Sequence, residues 1–145
     1  MKELLTKLNY KGYKRIAVMN ADRQFLRAIS KELRGVITDS EIDQRCPYEF
    51  IIIFVRSVSE VRHFAPLALH NLTADGVLWF CYPKKSSKLC YSSNPKRDCG
   101  WSALNNLSFY GVRMVAIDDD WSAIRFRNIK YIKSTSSRFP KEKLK

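Results

Sequence analysis

"YEFIIIFVRSVSE", residues Tyr48–Glu60, decides how this chain folds. Its first eight residues are mostly apolar, rich in β-branched and aromatic side chains, and show no polar alternation. A strand with one wet face alternates, whereas a run that is apolar at both parities is covered on both faces, as in a central parallel strand. Ser57 and Glu60 follow at the capping-box spacing, in which a hydroxyl and a carboxylate satisfy N–H groups of a first helical turn. The stretch therefore predicts a buried strand running directly into a helix. That helix turns Val58, Val61 and Phe64 or Ala65 inward, and Pro66, which has no N–H, kinks it or opens a second helix with Leu67 and Leu69.

The same unit recurs on either side. "RIAVMN" (15–20) reads as a first strand, and "ADRQFLRAISKEL" places Phe25, Leu26, Ile29 and Leu33 at helical spacing with Asn20 or Asp22 as cap. Before it, Leu4, Leu5 and Leu8 form one face of a short helix ending near Gly12. After Gly35, "VIT" is a short strand and 39–47 a loop. "TADG" turns the chain into "VLWFCY", a second strand covered on both faces. "WSALNNLSFYG" predicts a short helix with Trp101, Leu104 and Leu107 or Ser108 along one side and Gly111 past its end. "VRMVAI", "DDD" and "WSAIRFRNIKYI" make a closing hairpin. The expected fold is α/β: a three-layer sandwich with a mostly parallel sheet and an antiparallel C-terminal hairpin, Rossmann-like without a glycine fingerprint.

Length and composition agree. The 145 residues are 46% hydrophobic and 28% charged, which suits one α/β domain over 1–133 followed by a basic, flexible tail over 134–145. No apolar run reaches the roughly 20 residues of a membrane helix, and the start, "MKELLTKLNYKGYKR", does not have the pattern of a secretion signal. Cys46, Cys81, Cys90 and Cys99 are sparse and form no C-x-x-C pair, which predicts reduced thiols in a cytoplasmic protein rather than a metal or disulfide framework. The net charge of +12 is uneven. Residues 82–98 carry Lys84, Lys85, Lys88, Lys96 and Arg97 against Asp98, and 133–145 carry five basic residues against Glu142. Such segments attract anions, or simply aid solubility.

Two segments resemble a family of small bacterial proteins known only as a domain of unknown function. One is L-W-x-x-Y-P-K, here Leu78, Trp79, Tyr82, Pro83 and Lys84. The other is V-R-x-V-A-I-D-D-x-W-S-A-x-R-F-R, here Val112, Arg113, Val115–Asp119, Trp121–Ala123 and Arg125–Arg127. The resemblance implies an α/β fold and a bacterial cytosolic origin, and brings no activity, cofactor or catalytic residue.

Open parallel sheets bind ligands beyond the carboxyl ends of their strands, where helix N-termini also point. That rule gathers Asn20 and Asp22, Arg56 and Ser57, and the loop Lys84, Lys85, Ser86, Ser87 and Lys88 at one edge. Arg56, Ser57, Lys84, Lys85, Ser86, Ser87 and Lys88 are the predicted anion-binding set, together with N–H groups of Val58–Glu60. Asp118–Asp120 fit either a hairpin turn or an oxygen-ligated cation, and no metal is assigned. Arg125 and Arg127 share a face and are expected to pair with Asp118–Asp120 or with Glu residues. Trp79, Trp101 and Trp121 are expected in the core, with Trp121 the one to line a pocket. His63 and His70 lack a Ser or Cys partner, so no catalytic group is named.

"MNADRQF" after the first strand has no G-x-G-x-x-G, and "PKKSSK" has no preceding glycines, so neither a dinucleotide fingerprint nor a phosphate loop exists and no cofactor is assigned. The resulting expectation is a non-catalytic module that binds an anionic partner, nucleic acid or a phosphorylated ligand, and no membrane. The alternative is a small enzyme acting on an anionic metabolite or using a nucleotide-like cofactor at the same edge.

Overall fold

The computed structural model describes residues 1–84 and 101–132. They form helix α1 (Lys2–Lys7), strand β1 (Arg15–Met19), α2 (Arg23–Glu32), β2 (Ile37–Asp39), β3 (Tyr48–Phe54), α3 (Val58–Asn71), β4 (Leu72–Pro83), α4 (Ser102–Asn105), β5 (Phe109–Ala116) and β6 (Trp121–Asn128), then a 3₁₀ turn, Ile129–Tyr131. The strands make one sheet in the order β2-β1-β3-β4-β6-β5. The first four are parallel, and β6 runs antiparallel to both β4 and β5. This is the three-layer α/β arrangement expected, with an antiparallel hairpin at one edge.

Alternation along the strands builds two cores. Ile51, Ile53, Leu78, Phe80 and Phe126 face α3 and α4, whose Val61, Ala65, Ala68, Trp101 and Leu104 complete that layer. Phe50, Ile52, Phe54, Val77, Trp79 and Cys81 face α1 and α2, which supply Leu5, Leu8 and Ile29. Because β3 and β4 need apolar side chains on both faces, neither shows polar alternation. Trp79 is fully buried and donates Nε1–H to the Leu8 carbonyl (2.8 Å), fastening the end of α1 to the sheet. Cys46 and Cys81 are free thiols, and burial pushes the Cys81 thiol pKa up.

Four local readings change. "TADG" is not a turn between elements but a bulged part of β4, with Asp75 at φ 55°. Gly76 leaves room there: a Cβ would lie 2.8 Å from Leu72 Cδ1 and 2.9 Å from Thr73 Oγ1, so those side chains would have to shift. α4 is a single turn, because Ser108 at φ 70° ends the local winding and β5 has begun by Phe109; Leu107 is exposed and Gly111 lies inside the strand. α3 runs through Pro66 as one helix, so no second helix opens there, and that residue lies on its exposed side. β6 stops at Asn128, whose side chain accepts from Lys130 N–H and starts the 3₁₀ turn. The 134–145 tail, Cys90 and Cys99 lie outside the described residues.

Candidate functional site at the carboxyl edge of the sheet

β1 is flanked by β2 on one side and β3 on the other, so consecutive crossovers leave it in opposite directions. Between β1 and β3 the carboxyl ends diverge, and open α/β sheets take ligands in that crevice. Here it is bridged. Asn20, just past β1, has φ 59°, a left-handed conformation that Asn tolerates better than most residues. Its Nδ2 donates to the Phe54 carbonyl at the end of β3 (2.7 Å) and to Glu60 Oε2 in the first turn of α3 (2.9 Å).

Both helix N-termini beside the crevice are supplied from within the chain. Asp22 accepts from Phe25 N–H and caps α2, so the cap is Asp22 and not Asn20. Ser57 Oγ accepts from Glu60 N–H, while Glu60 Oε1 accepts from Arg56 N–H (2.6 Å). The capping box is thus present, with its carboxylate reaching one residue further back than the usual partner. Of the N–H groups expected to face an anion, that of Glu60 is already taken.

Arg56 and Lys84 do share a rim. β3 and β4 are adjacent and parallel, with Phe54 opposite Cys81, and Val55 N–H bonds the Cys81 carbonyl. β4 runs two residues further, where Pro83 stands opposite Trp121. The Arg56 guanidinium lies over the Trp121 ring, 4.9 Å from its centroid, and Trp121 stacks edge-on against Phe54. Trp121 is half-buried at this rim, whereas Trp79 and Trp101 are core. Lys84 N–H bonds the Asp120 carbonyl, so the β5–β6 turn arrives at the same edge. Lys85, Ser86, Ser87 and Lys88 lie outside the described residues.

Asp118–Asp120 act as a turn. Asp118 Oδ1 accepts from Asp120 N–H (2.8 Å) and Trp121 N–H (2.9 Å). Among the described residues no cluster of three or more His, Cys, Asp or Glu side chains is placed to hold a metal ion. His63 and His70 are exposed on α3.

Arg127 does not pair with Asp118–Asp120. Because β6 is antiparallel to β4, its last residues lie beside the start of β4, and Arg127 makes a two-pronged contact with Asp75 (2.6 Å to each oxygen). A third polar network ties β1, β2 and β3: Arg15 and the Tyr48 hydroxyl both donate to Asp39 (2.6 Å each). The hydrogen bond from Arg15 holds the Asp39 carboxyl below its usual range, against its burial. Neither this network nor the Asn20 bridge was anticipated from sequence. The signals that could have marked them are an Asn directly after a strand and an Asp ending the strand that follows it.

No family model and no curated protein matches the sequence. Solved structures do resemble the fold. Phosphoethanolamine N-methyltransferase 2 of Haemonchus contortus, in complex with phosphomonomethylethanolamine and S-adenosylhomocysteine, superposes with a TM-score of 0.54 at 12% identity over 88% of this chain. The N-methyltransferase NodS of Bradyrhizobium japonicum WM9, with S-adenosylhomocysteine, gives 0.52 at 12% over 88%. The ribosomal protein L11 methylase of Lactobacillus delbrueckii subsp. bulgaricus gives 0.52 at 13% over 87%. This chain spans 37% of the Haemonchus enzyme, 86% of NodS and 76% of the L11 methylase. At such identities the likeness establishes the fold alone, a Rossmann-like α/β sheet.

The residues at the crevice do not fit the cofactor which those structures suggest. An adenosine cofactor in such a sheet needs close backbone approach after β1, which glycines permit, and an acid about 20 residues on to receive the ribose hydroxyls. Here Asn20–Ala21–Asp22 contains no glycine and the Asn20 side chain spans the opening. Asp39, at the corresponding distance, is engaged by Arg15 and Tyr48.

Proposed function

We propose that the protein is a non-catalytic module that binds an anionic partner, nucleic acid or a phosphorylated ligand, at the carboxyl edge of its sheet. The observation that carries this reading is the division of that edge into two parts. Between β1 and β3 the Asn20 bridge closes the crevice, whereas one strand further on Arg56 is exposed on Trp121 beside the start of the basic loop at Lys84. A guanidinium on an aromatic face keeps its five donors pointed outward for phosphate or carboxylate oxygens. Lys85, Ser86, Ser87 and Lys88 continue from Lys84 and would add donors. Ser57 serves mainly as helix cap, with its hydroxyl hydrogen left to donate.

Fluorescence anisotropy with labelled single-stranded RNA and DNA over a salt series tests the reading. Binding that weakens steeply between about 50 and 200 mM salt is expected, because neutralised phosphates release counterions. Arg56→Ala and Lys84→Ala should each weaken it across sequences and reduce the salt slope by about 1. Absence of binding at low salt, or indifference to salt, refutes the nucleic-acid form.

A second reading, an enzyme using a nucleotide-like cofactor at the same edge, draws on the likeness to methyltransferases with S-adenosylmethionine products bound. It requires the Asn20 bridge to open. Thermal shift distinguishes the two: stabilisation by micromolar S-adenosylmethionine or a nucleotide supports the enzyme, and stabilisation by polyanions alone supports the module.

A further inference from the structure

The C-terminal hairpin carries a second concentration of positive charge, away from the carboxyl edge. Arg113 on β5 stands directly opposite Arg125 on β6, and Arg127 follows two residues along, so all three share one face. That face belongs to the layer of α1, and Tyr13, ahead of β1, lies within electrostatic reach of Arg125. Arg125 is four residues along β6 from Trp121, about 13 Å from the rim at the rise of a strand.

As a purely structural arrangement this is costly. Like charges directly opposite one another on a sheet destabilise it. Arg125 is half-buried, and its Nε is shut off from solvent with no acceptor among the described residues. Its pKa is lowered, first by burial and then by Arg127, with Arg113 adding to the effect. Asp75 is the acid that bears on it, but both Asp75 oxygens are already engaged by Arg127. Glu49 acts on Tyr13 instead, opposing Arg125 there. Among the described residues, Arg125 thus stands between two other guanidinium groups, and the carboxylate that bears on it is already committed to Arg127. A half-buried cation with an unmet Nε–H among like charges is the arrangement expected where an anion completes the site.

We propose that Arg113, Arg125 and Arg127, beside Tyr13, form a site for a compact dianionic phosphate group, separate from the carboxyl edge. The three guanidinium charges outweigh those of Asp75 and of Glu49 across Tyr13, leaving a net positive charge for a terminal phosphate to meet, and the planar forks suit its oxygens. The cluster is compact and lacks the spaced cations with stacking aromatics that would track a nucleic-acid strand, so a phosphate monoester or inorganic phosphate fits it better than a phosphodiester chain.

Thermal denaturation and calorimetric titration of the full chain with inorganic phosphate, against sodium chloride at equal ionic strength, test this. The wild type should be stabilised specifically by phosphate. Arg125→Gln and the exposed Arg113→Gln should each bind it roughly tenfold or more weakly. Without phosphate, Arg125→Gln should melt at or above the wild-type temperature, because a repulsive buried charge has been removed. The proposal is overturned if phosphate gives no specific shift, or if Arg113→Gln responds as wild type does. A lower melting temperature for Arg125→Gln, marking a structural role, also overturns it. So does displacement of phosphate by an oligothymidylate lacking terminal phosphates. Failure of Arg125→Gln to fold marks the same structural role and overturns it as well.

Discussion

Arg127 grips Asp75 through Nε and Nη2 at 2.6 Å each, joining the end of β6 to the bulge that begins β4. Asp75 also holds φ 55°, a conformation costly for residues other than Gly, Asn and Asp. Two effects therefore separate by substitution. Asp75→Asn keeps the backbone preference and loses the ion pair, about 1 kcal/mol for a contact roughly one-third exposed. Asp75→Ala should lose about 1 kcal/mol more through strain. Urea midpoints for the two variants should fall in that order.

At Asn20 the backbone and the bridge can be separated in the same way. Asn20→Gly retains the left-handed backbone but gives up the bonds to Phe54 and Glu60, whereas Asn20→Ala loses both. Expected losses are about 1 kcal/mol for Gly and about 2 kcal/mol for Ala, measured by denaturant unfolding.

Trp79→Phe should cost about 2 kcal/mol, because it removes the donor to the Leu8 carbonyl and leaves space in a fully buried position. Hydrogen exchange should show faster opening at Leu5 and Leu8 than at β3. Uniform opening everywhere would contradict a role for that bond in fastening α1.

Acid should unfold the protein through three carboxylates. Asp39 and Asp75 are held below their ordinary 3.8 chiefly by hydrogen bonds from Arg15 and Arg127, and Asp43 is lowered to about 2 chiefly by Arg45. A lowered folded-state pKa means stability that is complete above the unfolded value and lost as pH falls through the folded one. The melting temperature should therefore decline below about pH 4 and keep falling toward pH 2. Arg127→Gln should flatten the part of that decline due to Asp75.

The central strands were legible because burial on both faces removes polar residues from β3 and β4, and the hairpin because its apolar runs flank three aspartates. What was hidden had a common cause. The positive φ angles at Asn20, Asp75 and Ser108 sit on residues other than glycine, so nothing marked the end of α4, and Gly76, beside Asp75, reads as the glycine of an ordinary turn as readily as of a bulge. Gly111 misled in the opposite sense: it lies within β5, where a Cβ would come 2.5 Å from Ile124 Cδ1, and ends no helix. At the site, strand ends and their following residues could be assigned to one edge from chain order alone. Whether Glu60 would serve the helix, the crevice or both depended on where Asn20 pointed, which is a contact forty residues apart. The partner of Arg127 was likewise fixed by antiparallel pairing and not by proximity in sequence.

The placement of β6 between β4 and β5 has a consequence for synthesis. β5 leaves the ribosome with no neighbour to join, and Phe126, which closes one core beneath Trp101, emerges after every other strand is made. Nascent chains stalled after residue 120 should expose the flank of β4 and remain open to protease, while chains extended past residue 128 and clear of the exit tunnel should resist it. Until β6 is added, the nascent chain presents the flank of β4 as an unpaired edge.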